Sequence, residues 1–153
     1  MKNYLESLKN CVPNNFQIET ETPFIFDPIL TGNSIQSYSI IGLTEEGCQV
    51  RITQTKMYFS KTPEEDYKKV LIYFNSYDES EYNYPSDEEI NEKLKKINDS
   101  YSFLLGAEST CYFNEEQVAM FFSDFEKTKE GIIEIDTTKD SFLYSNCEGD
   151  LFN

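Results

Sequence analysis

The sequence predicts an α+β domain, an antiparallel sheet of about four to six strands with three or four capped, amphipathic helices packed mainly on one face. Alternating apolar and polar residues dominate the first half of the 153-residue chain, whereas capping patterns followed by apolar residues at helical spacing dominate the second. No internal repeat, Gly/Ser-rich linker or change of composition marks a boundary. We therefore expect residues 1–153 to form a single globular domain.

Four segments combine an N-cap pattern with an apolar helical stripe. A capping box, in which two side chains satisfy free backbone donors, fits three pairs of residues: Asn3 with Glu6, Ser86 with Glu89, and Asn114 with Gln117. The strongest helix signal is Thr62-Pro63-Glu64-Glu65. There we expect Thr62 to be the N-cap and Pro63 the first helical residue. Each predicted helix has one apolar face to bury.

Strands are predicted from period-2 alternation and from short apolar runs. They cover residues 16–21, 24–26, 34–43, 48–59, 131–136 and 141–144, with a weaker candidate at residues 102–105. A turn over residues 44–47 joins two of them into a hairpin, because Gly47 accepts the backbone conformation that closes such turns. Cys48, Val50 and Ile52 fall on the face that we expect to be buried.

The charge of the chain limits its ligands. It carries 28 acidic against 13 basic residues, a net charge of −15, and Arg51 is its one arginine. Nucleic acid binding needs clustered Lys and Arg, and an anionic membrane surface attracts basic segments. We therefore expect no direct contact with nucleic acid or membrane. The last third, residues 100–153, is the most acidic, with 11 acidic and 3 basic residues.

The chain lacks the residues that most catalytic sites use. It has no histidine, which removes the usual general base and the usual metal ligand. Its glycines are too scattered to form a phosphate-binding loop, and no nucleophile motif is present. Glu134 and Asp136 share a face of a predicted strand, but exposure on a half-buried strand accounts for them. We predict no enzymatic activity, no catalytic residues and no cofactor.

The four cysteines, Cys11, Cys48, Cys111 and Cys147, are far apart and form no C-x-x-C pair. This spacing does not fit a zinc site, and the acidic loop at residues 78–81 lacks the register of a calcium loop. No run of 18 uncharged apolar residues is present, and Glu6 and Lys9 lie where a secretion signal is apolar. We expect a cytosolic protein without a metal, whose cysteines are isolated, buried side chains and not a disulfide framework.

Size, charge and the missing catalytic residues together predict an acidic, non-enzymatic binding protein. In character, though in no diagnostic motif, the chain is similar to bacterial immunity proteins, which neutralise a cognate toxin domain such as a basic nuclease. The expected partner is therefore a basic protein, held by stoichiometric binding. Two alternatives remain open: a homodimeric secretion or effector chaperone with an exposed apolar groove, and a DNA mimic that inhibits a nucleic-acid-binding protein. The oligomeric state is left open.

The partner-binding surface is predicted where acidic and aromatic residues occur together, because interface hot spots favour Tyr, Trp and Arg. Most candidates follow the fourth helix, and two come from the polar loop before the third. The candidates are Glu126, Glu130, Glu134, Asp136, Asp140, Tyr144, Glu148 and Asp150 in the last third, and Tyr82 and Tyr84 in the loop. Phe152 is a further aromatic candidate.

Overall fold

A computed structural model describes residues 2–24, 26–74, 76–129 and 144–152. Within these residues it contains four α-helices, a short 3₁₀ helix and five strands. In chain order they are α1 (Lys2–Lys9), β1 (Asn14–Pro23), β2 (Leu30–Thr44), β3 (Gly47–Lys61), α2 (Glu64–Tyr73), α3 (Asp87–Tyr101), the 3₁₀ helix (Ser102–Leu104), β4 (Glu108–Phe113), α4 (Glu115–Lys129) and β5 (Cys147–Gly149).

The five strands form one antiparallel sheet in the order β1-β2-β3-β4-β5. β3 pairs with β4 so that Val50 lies opposite Cys111, and β4 pairs with β5 so that Cys111 lies opposite Cys147. The predicted α+β class is confirmed. Among the described residues, no helix is both long and apolar enough to cross a membrane.

The chain divides into two compact units. The first unit comprises Met1–Ile18, Gln36–Gln54 and Ala107–Asn153. Its core combines one face of the strands with residues of α1 and α4, and the predicted inward face of β3 is confirmed. The buried residues are Leu8, Tyr38, Ile40, Cys48, Val50, Ile52, Cys111, Phe113, Val118 and Phe121.

The second unit comprises Glu19–Ile35 and Thr55–Gly106. It has its own smaller core of Ile29, Leu30, Phe59 and Ile90, surrounded by partly buried aromatic rings. Asn98 of α3 joins this helix to β3. Its Nδ2 donates to the carbonyl of Phe59 at 3.2 Å, and its Oδ1 accepts from the amide of Phe59 at 2.7 Å. Whether the two units act as one domain stays a prediction.

Two of the predicted capping boxes are present, and the predicted Thr62 cap is wrong. In α4 the Asn114 amide donates to Gln117 Oε1 at 3.0 Å, and the Gln117 amide donates to Asn114 Oδ1 at 2.9 Å. The second complete box, at Ser86 and Glu89, begins α3. Before α2, however, Pro63 is the N-cap, because Thr62 is buried and its hydroxyl instead shares a 2.7 Å hydrogen bond with Thr31.

The strand predictions at residues 16–21, 34–43 and 48–59 are correct, since these residues fall within β1, β2 and β3. Phe24 and Phe26 lie outside the strands, residues 102–104 form the 3₁₀ helix, and β4 and β5 were not predicted. Residues 131–136 and 141–143 lie outside the described residues, and Tyr144 lies in a turn. β5 is only three residues long and is set by pairing with β4, so its own sequence carries little strand signal.

The expectation of isolated cysteines is wrong. Cys11 is bonded to Cys48 and Cys111 to Cys147, with sequence separations of 37 and 36 residues. Both bonds lie in the first unit. In each pair one partner, Cys48 or Cys111, is fully buried in the core. Closing loops of this length stabilises a fold by about 2 to 4 kcal/mol per bond.

We predict that Ile52→Ala lowers the free energy of unfolding by about 2 to 5 kcal/mol, since the side chain is fully buried in the core of the first unit. Ile72→Ala on α2 is the matched control. Because Ile72 is 58% exposed, its loss changes the free energy by less than about 0.5 kcal/mol. Urea denaturation followed by circular dichroism measures both values, and equal losses would contradict this account of the core.

We predict that Ser86→Ala lowers the free energy of unfolding by about 1 kcal/mol at neutral pH, because it removes half of the α3 capping box. Ser100→Ala, in the last turn of the same helix, is the control and has little effect, since the exposed Ser100 hydroxyl donates to the Lys96 carbonyl four residues earlier. Hydrogen bonds from the Ser86 amide and hydroxyl lower the pKa of Glu89. The contribution of the box is therefore full above the ordinary pKa of glutamate and is lost as the pH falls through the lowered value. Urea denaturation of the wild type and of Ser86→Ala at pH 7 and pH 3 measures the loss of unfolding free energy at each pH. A loss that is larger at pH 3 than at pH 7 would contradict the prediction.

Candidate functional site

The last described segment, residues 144–152, is fixed against β4. Antiparallel pairing of β4 with β5 and the Cys111–Cys147 disulfide hold its middle. Beyond β5, the amide of Asp150 donates to the Glu108 carbonyl and the amide of Leu151 donates to Ser109 Oγ, both at 3.0 Å. The segment therefore has a defined position although it contains only three strand residues.

Gly149 permits the close approach of this segment to β4. Its φ of +132° lies in the region that favours glycine. A Cβ at this position would lie 2.7 Å from Ser109 Cα and would collide with the carbonyl oxygen of Glu108. No other residue allows this backbone to pack so closely without moving it.

Aromatic residues at both ends of the segment attach it to the core of the first unit. The rings of Tyr144 and Phe152 stack with centroids 4.2 Å apart, and both pack against that core. Burial, together with the charge and hydrogen-bonding interaction of the nearby Tyr144, raises the pKa of Tyr38 well above its usual value. Tyr144 therefore contributes to ordering the segment.

An open cavity of about 510 Å³ lies between this segment and the β2–β3 turn. We call it the acidic cleft. It is lined by Glu46, Tyr112, Ser145, Asn146, Cys147 and Glu148. All six belong to the first unit, and none of them is basic.

The turn between β2 and β3 positions Glu46. Its amide donates to Thr44 Oγ1 at 3.2 Å, and that hydroxyl donates to the Gly47 carbonyl at 3.0 Å. Gly47 has a φ of +130°, and a Cβ there would lie 2.7 Å from the carbonyl oxygen of Phe113. The turn therefore lies directly against the end of β4, which brings Glu46 to the rim of the cleft.

The opposite wall is held by bonds between β4, α4 and the final segment. The Tyr112 amide donates to the Asn146 carbonyl at 3.0 Å, and Gln49 Nε2 donates to the Tyr112 hydroxyl at 3.4 Å. Gln117 of α4, almost fully buried, donates to Ser145 Oγ at 3.3 Å. These contacts fix the polar lining, and neither Glu46 nor Glu148 takes part in them.

The lining of the acidic cleft suits a cationic group. Glu46 and Glu148 are exposed carboxylates, and carboxylates accept the hydrogen bonds of guanidinium and ammonium groups. The Tyr112 hydroxyl and the Asn146 and Ser145 side chains add neutral polar groups around them. The single arginine of the chain, Arg51, is paired with Glu108 at 3.4 Å.

A second cluster of candidate residues lies in the second unit, where the loop before α3 packs on α2. The Tyr82 hydroxyl donates to Glu64 at 3.1 Å, and Lys68 Nζ lies 4.7 Å from the centre of the Tyr82 ring. Desolvation and the Glu64 bond raise the pKa of Tyr82 to about 12. The Tyr84 hydroxyl donates to the Thr62 carbonyl at 2.7 Å. The hydroxyl groups of Tyr82 and Tyr84 therefore both form hydrogen bonds within the second unit.

No residue of helix α2 is fully buried: the predicted apolar stripe is half-buried at Tyr67, Val70 and Leu71 and exposed at Phe74. At its C-terminal end Ile72, Tyr73 and Phe74 are 58%, 69% and 46% exposed. Three consecutive large apolar side chains on a surface are a feature of interaction sites.

The structure places the predicted partner-binding residues in different regions. Glu148 lines the acidic cleft, Tyr144 and Asp150 flank it in the same segment, and Tyr82 and Tyr84 belong to the second unit. Glu126 belongs to α4, but its side chain lies outside what the structure describes. The remaining candidates, which also lie outside the described residues, are Glu130, Glu134, Asp136 and Asp140.

Sequence reasoning missed Glu46, Tyr112 and the Ser145-Asn146-Cys147 stretch. Glu46 is one of two glutamates in a turn, and nothing local distinguishes it from an ordinary exposed residue. The final segment reaches β4 through the pairing of Cys111 with Cys147, which no local sequence pattern indicates.

Comparison of the chain with protein-family models, with curated proteins and with solved structures finds no match.

We predict that Gly149→Ala displaces the final segment, because the added methyl group collides with β4. Gly42→Ala is the matched control: Gly42 also has a positive φ, of +145°, but no atom lies within 4 Å of its Cβ position. We expect Gly42→Ala to cost about 1 to 3 kcal/mol from backbone strain alone. Gly149→Ala should cost about 1 to 3 kcal/mol more, from overpacking. Urea denaturation measures the difference, and equal costs would show that the close approach is unimportant.

Proposed function

We propose that this chain is a stoichiometric binding protein that holds a basic partner domain, with the acidic cleft as its docking point. The observation that carries the proposal is the composition of the cleft: two exposed carboxylates, Glu46 and Glu148, line an open cavity in which none of the lining residues that the structure describes is basic. A Lys or Arg side chain of the partner enters this cavity and forms charge-assisted hydrogen bonds with both carboxylates.

The charge of the whole chain supports the same partner chemistry. The first unit carries 14 acidic and 6 basic residues, and the second 14 acidic and 7 basic. A field of one sign accelerates the encounter with a basic protein, and a few desolvated pairs then determine how long the complex lasts. The fixed position of the final segment supports affinity, since a preformed surface loses little entropy on binding.

Within this proposal, the finer role is that of an immunity protein, which neutralises a toxin domain of the nuclease type. Nucleases are basic because their substrate is a polyanion, and carboxylates placed over the substrate cleft occupy phosphate positions. The chain acts by occupying its partner and not by chemistry of its own.

The two disulfides bear on where this binding takes place. Disulfides persist in oxidising compartments and are rare in the cytosol. They weigh against the cytosolic location expected from the sequence, which treated the cysteines as isolated. We propose that the chain meets its partner in an oxidising compartment.

The exposed end of α2 favours a second candidate function, that of a homodimeric chaperone for an effector segment. Ile72, Tyr73 and Phe74 provide an apolar surface that such a protein uses to hold an unfolded segment or a second copy. The two functions differ in stoichiometry and in the surface used. A chaperone forms a dimer and binds through α2, whereas the proposed inhibitor forms a one-to-one complex through the cleft.

We predict that the protein, co-expressed with the product of the adjacent gene, captures a basic partner from its native lysate. The two proteins should form a one-to-one complex. Light scattering measures the stoichiometry of the complex, and mass spectrometry identifies the partner. Glu46→Gln combined with Glu148→Gln should weaken this complex at least about tenfold, because two buried charge pairs are lost. Raising the salt concentration should reduce the difference.

The control is Glu88→Gln combined with Glu92→Gln, which removes two charges from exposed positions on α3. It should leave the dissociation rate unchanged. Equal weakening by the two double variants would show that only net charge matters and that the cleft is not the docking point. A dimer whose binding is lost on Ile72→Ser and Phe74→Ser would favour the chaperone.

A further inference from the structure

The side chains of β3 and β4 that point away from the core of the first unit form a polar surface beside the acidic cleft. In both strands they alternate with buried residues, so they share one face of the sheet, which we call the outer face. They are Gln49, Arg51 and Thr53 on β3, and Glu108, Thr110 and Tyr112 on β4. Because Tyr112 also lines the cleft, the outer face is continuous with it.

One row of the outer face connects Arg51 with the cleft. Arg51 lies opposite Thr110 in the β3–β4 pairing, and Thr110 lies opposite Glu148 in the β4–β5 pairing. Side chains that lie directly opposite each other in antiparallel strands point to the same face. Two strand spacings, about 10 Å, therefore separate Arg51 from Glu148. The one arginine of this acidic chain thus lies beside the proposed docking point.

Arg51 has the exposure and the donors to bind a second carboxylate. Its side chain is 53% exposed, and its Nε contacts Glu108 Oε1 at 3.4 Å. The other oxygen of Glu108 accepts a hydrogen bond from Thr53 Oγ1 at 3.1 Å, which holds this carboxylate beside Arg51. A guanidinium group carries further N–H donors on its terminal nitrogens. A carboxylate from outside the chain can therefore bind Arg51 while Glu108 stays in place.

From this arrangement we propose that Arg51 is a specificity-determining residue of the docking surface. It selects a partner that carries a carboxylate about 10 Å from the cation that enters the cleft. The proposal rests on the proposed function, because Glu46 and Glu148 must receive that cation. A uniformly basic partner surface would place a positive charge against Arg51, and like charges in contact disfavour the wrong partner.

The net charge of the chain gives this proposal a test by sign. A chain of net charge −15 attracts the more cationic of two otherwise equal ligands. For a ligand that reaches both the cleft and Arg51, the proposal predicts the opposite order, since the added carboxylate gains a contact with Arg51. Two ligands that differ by one carboxylate therefore separate the effect of net charge from the effect of Arg51.

Short peptides, capped at both ends, test the proposal on the full chain without a partner protein. Three residues of extended chain span about 10 Å, so the probes are Lys-Gly-Gly-Glu and the reversed Glu-Gly-Gly-Lys. Each has a matched peptide in which Gln replaces Glu. Dissociation constants are measured by NMR titration, following the amide signals of residues 44–47, 110–112 and 145–149.

We expect the wild-type chain to bind at least one Glu-containing peptide about twofold to fivefold more tightly than its Gln counterpart. In Arg51→Gln the order should reverse, because only the net charge then acts. Arg51→Lys keeps the positive charge and should keep the preference for the Glu-containing peptide. Lys95→Gln is the control: it removes a positive charge from an exposed position on α3 and should leave the wild-type order unchanged.

Equal or tighter binding of both Gln-containing peptides to the wild-type chain would overturn the proposal. A preference that persists in Arg51→Gln, or that is lost equally in Lys95→Gln, would also overturn it. In these cases the lysine of the peptides still binds the cleft, so the proposed function is unaffected. If none of the peptides bound at millimolar concentration, the cleft would receive no cation, and the proposed docking point would be wrong as well.

Discussion

The close antiparallel contact between β4 and the final segment is the constraint on which the site depends. The Cys111–Cys147 disulfide and the β4–β5 register set the position of the segment, and Gly149 allows the two backbones to approach. Glu148, which is exposed between these two fixed residues, is placed on the cleft by that contact. A charged side chain on a short, otherwise irregular segment thus acquires a defined position without belonging to a long strand.

The cleft combines features that seldom serve stability alone. Exposed carboxylates on a strongly acidic chain repel one another, and the six described lining residues include no basic side chain. Stability in the first unit comes instead from its apolar core and from two disulfides. The fold therefore tolerates exposed carboxylates at the cleft, which is the property that an acidic inhibitor of a basic protein needs.

The sequence was sufficient for those parts of the fold that are determined locally. The alternation of Cys48, Val50 and Ile52 correctly identified the buried face of β3, because the side-chain period of a strand is two. The boxes at Ser86 and Asn114 correctly marked helix starts, because capping depends on residues three positions apart.

The parts that depend on distant pairing were not accessible in this way. Four cysteines allow three pairings, and sequence alone does not choose among them or show that they pair at all. The strongest helix signal produced α2, yet periodicity cannot show whether a partner covers an apolar face, and Phe74 is exposed. Thr62 resembled a cap, but its bond to Thr31 joins positions 31 residues apart. The acidic cleft was missed for the same reason, since its lining combines Glu46 with Glu148, which lie far apart in the sequence.

Hydrogen–deuterium exchange of the chain with and without its captured partner shows whether the acidic cleft receives the partner. If the cleft is the docking point, exchange slows in the turn at residues 44–47 and in residues 145–149, and it is unchanged in α2 and in the loop at residues 76–84. Slower exchange confined to α2 and that loop would contradict it and would assign the binding surface to the second unit.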